Sequence, residues 1–101
     1  MKSRQWMMKL VDPRFDWRQL QAFLDVAECG AFRAASIERR FALNTLRAHV
    51  DKLERLAGCA LFTRKNEGLT LTTEGEALMR VARAMADARA STVAILMEPA
   101  N

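Results

Sequence analysis

Tyrosine is absent from the 101 residues, and histidine occurs once, at His49. Those two shortages remove many of the side chains that enzymes use to move protons or hold metals. Only two cysteines occur, Cys29 and Cys59, and they do not form a C-x-x-C pair. A structural zinc site needs about four soft ligands, so neither a metal nor a cofactor is expected. Both cysteines read as small apolar side chains in a reducing cytoplasm, with a disulfide left open. Also missing are G-x-x-x-x-G-K-[ST], G-x-G-x-x-G and H-E-x-x-H, which removes the phosphate-loop, dinucleotide and zinc-peptidase motifs. Ser36 falls on a core-side arc, and Glu74 and Glu76 are explained by favourable charge at a helix N-terminus. No nucleophile–base pair is visible, so no catalytic residue is assigned and an enzyme is not expected.

Long apolar runs are lacking too. Trp6, Met7, Met8, Leu10 and Val11 are interrupted by Lys9, too short a stretch for a signal peptide or a membrane span. The expectation is a cytoplasmic protein with no membrane partner. What is present is a globular balance, with 50% hydrophobic and 28% charged residues, in a chain of one-domain length. The formal net charge is +4. So mild an excess suits a polyanion such as nucleic acid, but plain soluble domains carry as much.

Four glycines and two prolines provide the punctuation. Asp16, after Asp12-Pro13, is a good N-cap. Leu20, Phe23, Leu24 and Ala27 follow at helical spacing, and Gly30 stops that helix. A second, short helix fits from Phe32 to about Arg40, with Phe32, Ala35 and Ser36 inward. Phe41 is expected to plug the core at a turn that no Gly or Pro marks. A third helix from about Leu43 to Ala57 turns Leu46, Val50, Leu53 and Ala57 inward, and Gly58 ends it. Leu61–Arg64 and Leu69–Leu71 read as short strands around the turn residues Lys65-Asn66-Glu67-Gly68. Thr72 or Thr73 caps a last helix reaching about Met97; Thr73 with Glu76 has capping-box spacing.

The fold class expected is mainly α: a winged helix-turn-helix with a three-helix core, a small β-hairpin wing and a long C-terminal helix. Residues 1–14 read as a flexible N-terminal extension, 15–72 as the winged helix-turn-helix domain, 73–97 as a long last helix with the apolar strip of a dimer interface, and 98–101 as a tail.

In that layout the third helix can enter a major groove of double-stranded DNA. Asn44 can pair with adenine through two hydrogen bonds, and Thr45 can bond a base or touch a thymine methyl. Arg47 flanks this face and can bind phosphate or a guanine edge, with Ala48 on the outer side. Arg39, Arg40, Lys52, Arg55, Arg64 and Lys65 can neutralise phosphates around the groove. Asp51 works against this locally and is expected to face Lys52, Arg55 or solvent, or to accept from cytosine. On the last helix, Leu78 and Val81 are expected to reach the domain body. Met85, Ala88, Thr92, Ile95 and Leu96 extend past it, as a homodimer interface would.

These residues together resemble the N-terminal DNA-binding domain of LysR-type transcriptional regulators. The similarity runs through Trp17-Arg18-Gln19-Leu20 with Phe23, Val26-Ala27-Glu28, Gly30-Ala31-Phe32 and Ala34-Ala35. It continues through Leu46, Val50, Leu53-Glu54, Gly58, Leu61-Phe62 and Arg64, and closes with Leu71-Thr72 and Gly75. The resemblance implies a winged helix-turn-helix, pairing through the linker helix, a partly palindromic duplex target and a separate ligand-binding domain after the linker. No small-molecule effector is expected within this chain. The start of the recognition helix departs from the family's Ser-Gln-small-Ala-apolar-Ser and reads Ala42-Leu43-Asn44-Thr45-Leu46-Arg47. Base contacts therefore do not transfer to Ala42 or Leu43, and Asn44, Thr45 and Arg47 are expected to substitute. The alternative is a protein-interaction module that keeps the fold and pairs with or inhibits a longer regulator without reading DNA.

Overall fold

The computed structural model describes Trp6, residues 12–66 and residues 68–99. Its elements run α1 (Trp17–Cys29), α2 (Phe32–Arg39), α3 (Leu43–Ala57), β1 (Phe62–Lys65), β2 (Gly68–Leu71) and α4 (Thr73–Leu96). The two strands pair antiparallel, with Phe62 opposite Leu71 and Lys65 opposite Gly68. This is a winged helix-turn-helix. The hairpin takes in Lys65 and Gly68 as its last pair, so both belong to strands rather than to the turn. Most of the expected extension over 1–14, the turn residue Glu67 and residues 100–101 of the tail lie outside the described residues. Trp6 is half-buried against the core, and Asp12 and Arg14 form an ion pair. That contact holds the Asp12 carboxyl at about 2.

Helix α1 is the hub. Its buried residues are Gln19, Leu20, Ala22, Phe23, Leu24, Asp25 and Val26, because α2, α3, α4 and β2 all pack on it. The expected stripe ending at Ala27 is thus too narrow, and Ala27 itself is only half-buried. At its start, the Asp16 carboxylate accepts from the N–H groups of Arg18 and Gln19, while the Gln19 side chain accepts from the Asp16 N–H. That is a capping box. Gln19 is also buried, with its amide donating to the Arg14 carbonyl.

Gly30 and Gly58 end α1 and α3 in the left-handed region, at φ 81° and 73°, where a side chain would be strained. The turn between α2 and α3 uses no glycine. Arg40 itself adopts φ 59°, a conformation that costs a non-glycine residue about 1–2 kcal/mol, which is why that boundary carries no sequence mark. Here Phe41 does not plug the core: it is 51% exposed. Leu46 and Ala35, on the adjoining helices, are core residues there, while the half-buried Ser36 hydroxyl donates to the Phe41 carbonyl.

Thr72, not Thr73, caps α4, accepting from the Gly75 N–H at 3.0 Å, so the Thr73–Glu76 box does not form. A Cβ on Gly75 would lie 2.1 Å from the Leu61 carbonyl oxygen. Glycine is therefore required where α4 crosses the chain entering the wing. Ala77, Leu78 and Ala82 are buried against the body, whereas Val81 turns outward. Neither cysteine is in a disulfide, and both are half-buried against the core.

Candidate nucleic-acid interface

Leu46, Val50, Leu53 and Ala57 are the buried residues of α3. Their spacing fixes the opposite face, so Asn44, Thr45, Ala48, Asp51, Lys52 and Arg55 are all exposed. At the N-terminus of the helix, Ala42 offers no side-chain cap. The first N–H groups of α3 are left to an outside acceptor, and their partial positive charge favours an anion there. Asn44 and Thr45 stand at that end with no protein group hydrogen-bonded to their side chains among the described residues.

Beside them, Arg47 is half-buried, with its guanidinium 5.0 Å from the centre of the Phe32 ring. Arg64, on β1, reaches the same ring at 5.8 Å. Lys65 follows Arg64 and is exposed at the end of the strand. Thus the N-terminal half of α3 and the wing come together, with Phe32 at the join.

The remaining basic residues divide. Lys52 and Arg55 lie further along α3 and border an open cleft of about 600 Å³ with Asp12, Arg14 and Leu56. Arg40 is exposed in the turn ahead of α3. Arg39, expected among the phosphate ligands, is held by acids of the domain itself. It pairs with the buried Asp25 at 3.4 Å and with Glu28 at 3.1 Å, both on α1. Arg83 of α4 meets Glu28 from the other side at 3.7 Å. Cys29 belongs to the same cluster, its thiol donating to Glu38. Burial first, and then that hydrogen bond, push the thiol up from its usual range. Contact with the Cys29 sulfur, and then with Asp25 and Glu28, fixes the charge on Arg39 more firmly.

Sequence reasoning missed this network. Its signal was Asp25, an acid in the middle of an otherwise buried helix, where a charge must be paired. It also missed Phe32 as the meeting point of two arginines. A second groove, of about 240 Å³, lies between Trp17, Ala22, Phe41, Leu46, His49 and Arg89. His49 is half-buried there, and no Ser, Thr or Cys is among the lining residues.

On α4, nothing past Ala86 is even half-buried. Met85, Ala88, Thr92, Ile95 and Leu96 are all exposed, and Val81 precedes them on the same helical face. Among the described residues no helix is long and apolar enough to cross a membrane.

Residues 17–76 match the model of the bacterial regulatory helix-turn-helix proteins of the lysR family. The HTH-type transcriptional activator AmpR of Citrobacter freundii is 42% identical over 62 residues, covering 61% of this chain and 21% of that protein. A probable nitrogen assimilation transcriptional activator of a Synechocystis strain is 40% identical over 65 residues, covering 64% and 21%. The chain spans about a fifth of the length of these curated relatives. Oxidized OxyR of Corynebacterium glutamicum superposes with a TM-score of 0.78 at 26% identity, over 86% of this chain and 28% of that one. The DNA-binding domain of CbnR, solved in complex with DNA, gives 0.71 at 28% identity, over 77% of this chain and 90% of that one. With the family model matching more than half of its residues, the chain belongs to the LysR family of bacterial regulatory helix-turn-helix proteins.

Proposed function

We propose that this domain binds double-stranded DNA sequence-specifically, as the DNA-reading part of a cytoplasmic transcriptional regulator, and that its role is binding rather than catalysis. The observation that carries the reading is the uncapped N-terminus of α3, with Asn44, Thr45 and Ala48 exposed and Arg47 and Arg64 gathered beside it. Its likeness to the CbnR domain solved with DNA supports placing α3 in a major groove and the wing on the backbone. Asn44 and Thr45 read base edges. Arg47, Arg64, Lys65 and Arg40 neutralise phosphates, with Lys52 and Arg55 further out on the same helix. A module that had lost DNA recognition would leave this cationic helix end without a partner.

Two copies pair through α4. The helix has 24 residues, about 36 Å at the usual rise, and the body covers only its first half. Val81, Met85, Ala88, Thr92 and Ile95 form one exposed stripe, with Leu96 at its border. Such a stripe on a small domain marks an interface, and a two-fold pairing sets two recognition helices at a fixed spacing.

The test begins with selection of duplexes from a random pool, followed by salt-titrated binding. The selected duplex is expected to bind more tightly than random DNA, with affinity falling steeply as salt rises. No enrichment and a flat salt dependence would overturn the reading. Light scattering at tens of micromolar tests the pairing: the native chain is expected as a dimer, and the Ile95→Glu, Leu96→Glu variant as a monomer. A monomeric native chain, or a dimeric variant, would remove the interface.

A further inference from the structure

Arg47 comes from α3 and Arg64 from β1, yet both guanidiniums lie over one aromatic ring, that of Phe32 at the start of α2. Among the described residues neither has a carboxylate partner, whereas Arg14, Arg18, Arg39 and Arg83 all do. Two like charges on one ring repel each other, and the negative face of the ring offsets part of that cost. Several contacts hold the arrangement rigid. Phe32 is buried. Phe62 meets it edge-on at 6.3 Å and in turn contacts Phe23 of the central helix at 5.3 Å. The wing is tied to the turn just ahead of Phe32, because the Leu69 N–H donates to the Gly30 carbonyl at 3.2 Å, and Leu69 is the strand partner of Arg64. The start of α2 adds to the positive field, since Ala31 gives it no side-chain cap.

We propose that Phe32, Arg47 and Arg64 form a preassembled clamp for the DNA phosphodiester backbone, in which the ring holds the two guanidiniums as one unit so that recognition helix and wing grip the same strand together. This rests on the DNA-binding reading above. Phe32 is the clamp's positioning residue and makes no contact with DNA itself. Arg47 and Arg64 make the phosphate contacts, which a guanidinium suits by its planar fork of donors.

A double-mutant cycle tests the clamp, using the full chain and a fluorescein-labelled mixed-sequence duplex of two helical turns. Arg47→Ala and Arg64→Ala are each expected to weaken binding about tenfold, as for loss of a charged hydrogen bond. The double variant is expected to bind within about twofold of either single, because residues that act as a unit are not additive. Phe32→Leu is expected to match the single arginine variants, while Phe32→Tyr, which keeps the ring, stays near native affinity. Thermal unfolding of each variant separates affinity from stability, and the arginine cycle does not depend on how well Phe32→Leu folds. If the double variant loses the product of the two single losses, the arginines act independently and the clamp is overturned while DNA binding stands. A native chain with no salt-dependent affinity for the duplex would overturn the DNA reading and the clamp together.

Discussion

Arg39 and Arg47 flank the same turn and carry the same charge, yet the fold uses them differently. Arg39 points back to α1, where Asp25 and Glu28 hold it and Arg83 closes the cluster from α4. Arg47 points towards the wing, where it meets a ring and another arginine. One face of the domain thus pairs its cations and joins helices to each other. On the other, the described residues hold no carboxylate against Arg47 or Arg64. Counting basic residues does not separate the two faces, and +4 over the whole chain hides the difference. What separates them is the acids: Asp25 and Glu28 both sit on α1, while α3 places only the exposed Asp51 on its outer face.

The joint between these faces is the most sensitive point. Gly75 lies where α4 crosses the chain entering β1, and an added Cβ would fall 2.1 Å from the Leu61 carbonyl oxygen. Backbone must move to admit it. Gly75→Ala is expected to destabilise the domain by about 3 kcal/mol, read as a lowered midpoint in urea. A change within about 0.5 kcal/mol would mean that the two regions are joined more loosely than their contacts imply.

Next comes the paired face. Asp25 is 3% exposed, so Asp25→Ala leaves Arg39 without its buried partner. Breaking a buried pair costs about 3–5 kcal/mol, and the partial exposure of Arg39, with Glu28 still beside it, brings the expectation to about 2 kcal/mol. Duplex affinity, corrected for the folded fraction, should not change. Affinity that falls with stability unaltered would place this cluster on the DNA and erase the distinction between the faces.

On the other face the expectation reverses. Asn44→Ala should leave stability within about 0.5 kcal/mol, since the residue is exposed and uncoupled from the core. It should cost about 1.5 kcal/mol on a selected duplex and less on random DNA. Equal losses on both would make Asn44 a positioning residue and leave base reading to Thr45 and its neighbours.

The same contrast explains what could be read from the sequence. Periodicity placed the α3 core set of Leu46, Val50, Leu53 and Ala57, because one buried stripe at helical spacing has few alternatives. From it followed the exposed face with Asn44 and Thr45. Periodicity understated α1, since a helix packed on several sides has no single stripe. It misplaced Phe41, because an aromatic beside a turn reads as a core residue, and nothing local reveals that Arg40 takes a left-handed conformation. Nor does it show that Arg39 pairs with Asp25 and Glu28. Which way a long side chain turns depends on acids distant in sequence, and α2 lies between both choices. Val81 turns outward for a related reason: where a helix leaves the body, one turn decides which residue is last to be covered.

The smallest expected effect tests whether the paired face is silent. Arg18 and Asp16 form an ion pair at 3.2 Å, with side chains 78% and 40% exposed. Exposed pairs contribute about 0–1 kcal/mol. Arg18→Ala removes the pair but leaves the Asp16 carboxylate accepting from the backbone N–H groups of residues 18 and 19, so the cap survives. The stability change should stay below about 0.5 kcal/mol. Asp16→Ala loses the cap as well and should cost about 1 kcal/mol. That difference isolates the backbone contacts from the charge contact, since both variants lose the same ion pair. Binding gives the sharper result. If only the α3–wing face meets DNA, Arg18→Ala leaves the slope of log affinity against log salt unchanged, whereas loss of a phosphate contact lowers it by about one. A drop of that size would show that the start of α1 also touches the backbone, and the boundary between the two faces would have to move to include it.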